Sequence, residues 1–292
     1  MILITGAGGT CGRELIRVMI DAGIPFRAGY STAVKASMAR DRGFDAVVAD
    51  FRHPASLRPA LRGIDAVFLL CGWSPDQSLL EASLVREAAR AGVRHVVKMS
   101  VWDAGGEAFS FARIHRPVER EIEESGMAWT FLRPNGFMQN LSNFLSATVR
   151  SQSALFAPAA EALVSHVDVR DVARVAAAAL TRPGHRGNTY ELSGPEALTY
   201  RQMAATLSDL LARTVTCVEL TPDQARAGIV AGGAPAAYAE AVIDLTRYYS
   251  GGNASSVSPD VKRVTGAEPA SFDRFAKDHI AAFQPAGQDP ES

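Results

Sequence analysis

The chain has 292 residues, of which 47% are hydrophobic and 21% charged, with a formal net charge of −1 at pH 7. That profile suits one large α/β domain or such a domain with a smaller appendage, and it excludes the basic footprint of a nucleic-acid or anionic-membrane partner. Three scattered cysteines without Cys-x-x-Cys spacing exclude a disulfide framework or zinc centre, and the histidines show no metal-ligand spacing, so no metal is expected.

Met1–Ile4 is an apolar run of strand type. It opens into the turn Gly6-x-x-Gly9-x-x-Gly12, with Gly8 as a fourth glycine. Helical periodicity begins at once, with Leu15, Val18, Met19 and Ala22 at i, i+3, i+4 and i+7. A strand that feeds a helix through such a turn is a dinucleotide site. The backbone can approach a pyrophosphate there, and the N–H groups and positive dipole end of the helix face the phosphates. This places Gly6, Gly9, Thr10, Cys11 and Gly12 against the cofactor. A strand starting at Met1 leaves no room for a leader, and no apolar run reaches membrane-spanning length, so the expected location is the cytoplasm.

Further strands are expected at Pro25–Tyr30, Asp45–Ala49, Ala66–Leu70, His95–Met99 and Trp129–Arg133. Helices are expected between them at Thr32–Asp41, Ser56–Arg62, Asp76–Ala91 and Phe109–Ser125. Alternation of short apolar strands with helices predicts an α/β fold with a doubly wound parallel sheet. Ligands in that fold bind outside the carboxyl ends of the strands. Residues 1–150 are assigned to this nucleotide-binding domain, with some later segments returning to it.

The remainder lacks the βα repeat. Helices are expected at Phe137–Val149, Asp168–Leu180, Tyr200–Ala212, Pro222–Ala231, Pro235–Tyr249 and Phe272–Phe283. Short strands are expected at Thr189–Leu192 and Thr216–Glu219. Residues 151–283 are read as a small, mostly helical lobe closing over the cleft. The polar, Pro/Gly-rich stretch 284–292 is read as a disordered tail.

The end of the second strand selects the nucleotide. An acid there would hold an adenosine 2′-hydroxyl and repel a 2′-phosphate. None is present; Ser31, Thr32 and Lys35 follow instead. NADP(H) is therefore preferred, with NAD(H) retained as an option. Asp50 and Phe51, after the third strand, suit an adenine contact. Cys71 and Gly72, after the fourth, suit backbone passing close to the cofactor.

Several stretches then form a recognisable order. After the glycine turn come His115-x-x-x-Glu119, Thr130-Phe-Leu-Arg-Pro134, Asn135-Gly-Phe-Met-Gln-Asn140, Val167-Asp-Val-Arg-Asp171-Val-Ala173 and Tyr190-Glu-Leu-Ser-Gly-Pro195. From Met1 to about Phe283 the chain resembles the NmrA-like group of atypical short-chain dehydrogenases/reductases, which includes NAD(P)H:quinone oxidoreductase-like proteins. The resemblance implies an extended Rossmann domain with a small C-terminal lobe. The group holds reductases and also cofactor-binding regulators that catalyse nothing.

Most short-chain dehydrogenases carry Tyr-x-x-x-Lys on the helix after the fifth strand. The matching positions here are Phe111 and His115. Phe111 has no proton to give. His115 is the candidate proton donor and ribose contact, with Glu119 one turn on to orient it. Ser100 stands where the superfamily keeps a catalytic serine. Trp73, Trp102, Phe137, Met138 and Asn140 are the candidate substrate contacts, and Asn135 a further cofactor contact. Arg133 is read as a structural ion-pair partner. Cys11, at a helix N-terminus, carries a minor redox reading.

The expected function is an NADP(H)-dependent oxidoreductase. It transfers hydride between nicotinamide and a medium-sized aromatic or conjugated substrate, quinone- or carbonyl-like. The alternative is a non-enzymatic NADP(H)-sensing regulator that binds a protein partner, which Phe111 favours. The expected partner is a small-molecule substrate, with a homodimer left open.

Overall fold

The computed structural model describes residues 1–284; the tail expected at 284–292 lies, from 285 onward, outside the described residues. The elements in chain order are β1 (Ile2–Ile4), α1 (Thr10–Asp21), β2 (Phe26–Tyr30), α2 (Ala33–Asp41), β3 (Ala46–Val48), α3 (Pro54–Ala60), β4 (Ala66–Leu69), α4 (Gln77–Arg90), β5 (His95–Met99), α5 (Ser110–Glu124) and β6 (Ala128–Pro134). Then follow α6 (Ser146–Gln152), β7 (Ala154–Ala157), α7 (Val169–Thr181), β8 (Asn188–Leu192), α8 (Tyr200–Leu211), β9 (Thr216–Glu219), α9 (Pro222–Ala231), α10 (Ala236–Ser250), α11 (Asp260–Thr265) and α12 (Phe272–Asp278). The chain divides into two compact units. One comprises Met1–Pro134, Val169–Leu192 and Arg263–Gly266. The other comprises Asn135–Asp168, Ser193–Lys262 and, among the described residues, 267–284.

The first unit is built on a seven-stranded sheet in the order β3-β2-β1-β4-β5-β6-β8, every pairing parallel. Its central strands β1 and β4 are apolar along their whole length, as a sheet covered on both faces requires. All four residues of β4 and all five of β5 are buried, including a lysine, Lys98. One face packs Leu57, Ile64, Leu84, Val85 and Ile122 against Val67, Val96 and Phe131. The other side carries α1 and α7, which pack on each other. The alanine run of α7 keeps its buried face thin, so the two helices approach closely. The strand order reverses between β1 and β4. That switch point is where a doubly wound sheet opens a crevice at its carboxyl edge.

The second unit has its own core of Met138, Leu155, Met203, Leu207, Phe272 and Phe275. It is mostly helical and contains one small parallel sheet, β7 beside β9. Three features were not read from the sequence: β7, α11 and a π-helical turn, Leu141–Leu145, which runs into α6 within the helix expected over Phe137–Val149. The capping box legible at Thr199–Gln202 opens α8, and Thr221 closes a second one with Gln224 at the start of α9.

Candidate active site

The glycine turn leaves β1 under tight steric control. Gly6 has φ +62°, and a Cβ there would meet Leu70 at 2.9 Å. A Cβ on Gly12 would sit 2.2 Å from the Gly6 carbonyl oxygen, so the turn closes only over a bare backbone at that position. The Thr5 hydroxyl donates to the carbonyl oxygens of Phe68 and Leu70 and accepts from the Leu70 N–H, stitching β1 to β4 beneath the turn. Gly9 is the N-cap of α1, and no side chain caps the first turn. The N–H groups of Thr10, Cys11 and Gly12 therefore head an uncapped helix, with Gly8 and Gly9 exposed in front of it. A pyrophosphate fits this cradle on charge and on space. The Cys11 thiol is buried, and burial together with the nearby Glu14 pushes its pKa up to about 12. The redox reading of Cys11 is thereby corrected: the low dielectric around the sulfur outweighs the helix dipole.

Ser31, Thr32 and Lys35 all lie exposed after β2. The Thr32 hydroxyl accepts from the Lys35 N–H and caps α2, which leaves Ser31 and the Lys35 ammonium as groups for a 2′-phosphate. Asp50 accepts from the Arg52 N–H and the His53 ring. Phe51 is buried in the core and leaves the ligand-contact set, a correction its position in the apolar cluster requires. Gly72 is exposed with open space around it, and Cys71 is half-buried beside it.

Two buried polar networks underlie the ends of β5 and β6, and they redraw the catalytic expectation. In the first, the Ser100 hydroxyl donates to Glu119 at 2.6 Å. Arg133 forks onto the same carboxylate at 3.0 and 2.7 Å and also donates to Glu191 at 3.2 Å. Arg116 adds a further bond to Glu119 at 3.1 Å. Burial alone would push the Glu119 carboxyl up. The hydrogen bonds from Arg133 and Ser100 outweigh it, and the net shift is downward. Glu119 therefore does not orient His115. The Ser100 hydroxyl thereby ties the end of β5 to α5. Arg133 has the structural role read for it.

The second network contains a residue that sequence reasoning missed. Lys98 and Glu81 are completely buried and form an ion pair at 2.7 Å. Gln77 holds the other oxygen of Glu81 at 3.2 Å. The Lys98 ammonium also donates to the Met99 carbonyl oxygen at 2.6 Å and meets Nδ1 of His115 at 3.0 Å. Burial, and next the Lys98 charge, hold the His115 pKa well below its ordinary value. His115 is accordingly neutral at physiological pH. A neutral imidazole can donate only from the nitrogen that carries its single ring proton.

Among the remaining substrate candidates of the first unit, Trp73 is half-buried and Trp102 buried, its backbone N–H donating to the Pro134 carbonyl oxygen at 2.8 Å. In the second unit Phe137 and Asn140 keep exposed surface. Met138 is a core residue there, which corrects its assignment to the substrate. Asn135 spends its amide on Ser165, the Ala254 carbonyl oxygen and the Gly136 N–H.

Comparison with known proteins agrees with this architecture. The chain is 37% identical to an NAD(P)H azoreductase from Xenophilus azovorans, over 97% of this chain and 99% of that protein. It is 39% identical to a (4-alkanoyl-5-oxo-2,5-dihydrofuran-3-yl)methyl phosphate reductase from Streptomyces griseus, over 98% of this chain and 100% of the relative. Among solved structures, the triphenylmethane reductase of a Citrobacter species complexed with NADP(H) superposes with a TM-score of 0.84. Its identity is 26%, over 95% of this chain and 99% of that one. The NmrA-like family profile matches residues 1–273, and the chain belongs to the NmrA-like family.

Proposed function

We propose that this protein is an NADP(H)-dependent oxidoreductase that reduces a medium-sized aromatic or conjugated acceptor, such as an azo compound, a quinone or an unsaturated carbonyl. One observation carries the reading. The uncapped, glycine-fronted N-terminus of α1 belongs to the same unit as His115, whose Nε2 has no hydrogen-bond partner among the described residues. The named activities of the azoreductase, furanone reductase and triphenylmethane reductase relatives support it.

A bound nicotinamide supplies the hydride, so the protein's task is geometry and electrostatics. The first turn of α1 takes the pyrophosphate, and Gly9 allows its close approach. Ser31 and Lys35 take the 2′-phosphate, with no acid at the end of β2 to repel it. The Ser100–Glu119–Arg133 network braces the edge formed by β5 and β6. His115 directs a neutral Nε2–H towards the acceptor or the ribose. Phe111, standing where a tyrosine acid would be, suits a conjugated acceptor that takes hydride with little help from a protein acid. Three free cysteines suit a reducing compartment such as the cytoplasm.

The test is NADPH consumption, followed by absorbance, against an azo dye, a quinone and an unsaturated lactone, each repeated with NADH. Turnover on at least one acceptor with NADPH is expected. Tight NADPH binding without turnover on any of them would replace this reading with that of a cofactor-sensing regulator.

A further inference from the structure

The geometry points to Lys98 as the positioning residue of the site, pinning His115 as a neutral imidazole with an acceptor at Nδ1 and its single ring proton on Nε2. The inference rests on the placement of His115 in the active site argued above, and its test does not depend on turnover.

An ammonium has three protons and no acceptor. Lys98 has three acceptors around it: the Met99 carbonyl oxygen at 2.6 Å, Glu81 Oε2 at 2.7 Å and His115 Nδ1 at 3.0 Å. The Met99 carbonyl oxygen is an obligate acceptor and takes one proton, while Glu81 Oε2 balances the charge at ion-pair distance. An ammonium can only donate, so towards it Nδ1 must present a lone pair. A proton on Nδ1, in the other tautomer or in the imidazolium, would set N–H against N–H at 3.0 Å inside the protein. The ring proton is left on Nε2, the nitrogen without a partner among the described residues.

The lysine has nowhere else to go. Its strand is paired on both sides, with Lys98 beside Leu69 of β4 and Phe131 of β6. Glu81 holds its charge from α4, and Gln77 holds Glu81 one turn earlier. Three carboxylates on and around α5 are held by arginines. Glu119 is taken by Ser100, Arg116 and Arg133, Glu107 by Arg120, and Glu121 by Arg86. Cys71, near Glu81 and Lys98, stays a thiol because burial pushes it up to about 12. Lys98 is thus, among the described residues, the cation that sets the state of His115 through direct contact.

A neutral Nε2–H donor polarises a carbonyl or holds a ribose hydroxyl without changing charge, so the site keeps one electrostatic state across neutral pH. Lys98 touches neither substrate nor cofactor in this arrangement; it acts through His115.

The experiment is nitrogen-15 NMR of histidine-labelled full-length protein, with and without NADPH. A His115→Gln spectrum assigns the ring signals. The expected result is a single neutral tautomer with the proton on Nε2, unchanged from about pH 8 to about pH 5. An Nδ1–H tautomer, or an imidazolium near neutrality, overturns the inference. The second arm uses Glu81→Gln with Lys98→Met, which removes both buried charges together and avoids stranding one of them. In that variant the ring should exchange between tautomers, and its titration midpoint should rise by about half a unit or more. An unchanged tautomer and midpoint in the double variant also overturns it, because the lysine then pins nothing. On any acceptor the wild type reduces, the double variant should lose roughly tenfold in kcat with little change in KM for NADPH. A wild type with the expected tautomer but no turnover would sink the proposed activity and leave the positioning role standing.

Discussion

Replacing Gly9 and Gly12 separately by alanine should split two roles that a glycine motif ordinarily confounds. At Gly12 the added Cβ would lie 2.2 Å from the Gly6 oxygen, 2.8 Å from the Gly6 carbonyl carbon and 2.9 Å from the Ala7 Cα. All three are backbone atoms, so no rotamer change relieves the overlap. The strand-to-helix turn has to open by about an ångström, and overpacking of that kind costs typically 1–3 kcal/mol. The better helix propensity of alanine returns up to about 1 kcal/mol. We expect a net loss of roughly 1–2 kcal/mol, read as a Tm lowered by several degrees, together with weakened NADPH binding. At Gly9 the Cβ would meet only the Gly6 oxygen at 3.3 Å, and φ is −81°. Stability should then move by no more than about 0.5 kcal/mol. NADPH affinity should nevertheless fall at least about tenfold, because the methyl occupies the approach of the pyrophosphate. Differential scanning calorimetry and isothermal titration on the two variants decide the matter. Wild-type affinity in Gly9→Ala would refute the phosphate-loop assignment, and wild-type stability in Gly12→Ala would refute the packing argument.

Four further outcomes follow from the same structure. NADPH should bind about ten- to hundredfold more tightly than NADH, and Lys35→Glu should abolish most of that difference; equal affinities in the wild type would end the claim. Lys98→Met alone leaves Glu81 buried and unpaired, so chemical denaturation should show a loss of about 3–5 kcal/mol, with the double variant carrying Glu81→Gln clearly more stable than the single one. Burial pushes the buried His166 from its ordinary 6.5 down to about 4; between those values the unfolded chain binds a proton that the fold refuses, so stability is lost as pH falls, by roughly 3 kcal/mol in all, and His166→Asn should flatten that slope in urea unfolding at pH 7 and pH 4.5. Glu119 titrates lower folded than unfolded, so its stabilising contribution is complete above the unfolded carboxyl range and lost as pH falls through the folded value; Glu119→Gln should be less stable than wild type at pH 7 and lose less on acidification, and an identical acid limb would contradict the network.

What the sequence determined by itself was local. The glycine turn was legible because its chemistry lies within twelve consecutive residues. The sheet was legible because strands buried on both faces read as apolar runs. The absent tyrosine at Phe111 and the absent acid after β2 are single positions that a motif names directly. The active-site polar network was not legible in this way. Helical spacing paired His115 with Glu119, four residues on. In the folded chain Glu119 is taken by Arg133, whose planar fork matches both carboxylate oxygens and wins in a buried setting. His115 is taken by Lys98, seventeen residues earlier in sequence, whose own counter-ion Glu81 lies on a different helix. In the run His-Val-Val-Lys-Met the lysine marks nothing. Parallel pairing buries it, and a buried ammonium must then collect three acceptors from wherever the fold brings them. Spacing along one helix could suggest a partner for His115; only the packing of β5 against α4 and α5 decided which partner it has, and therefore which nitrogen carries its proton.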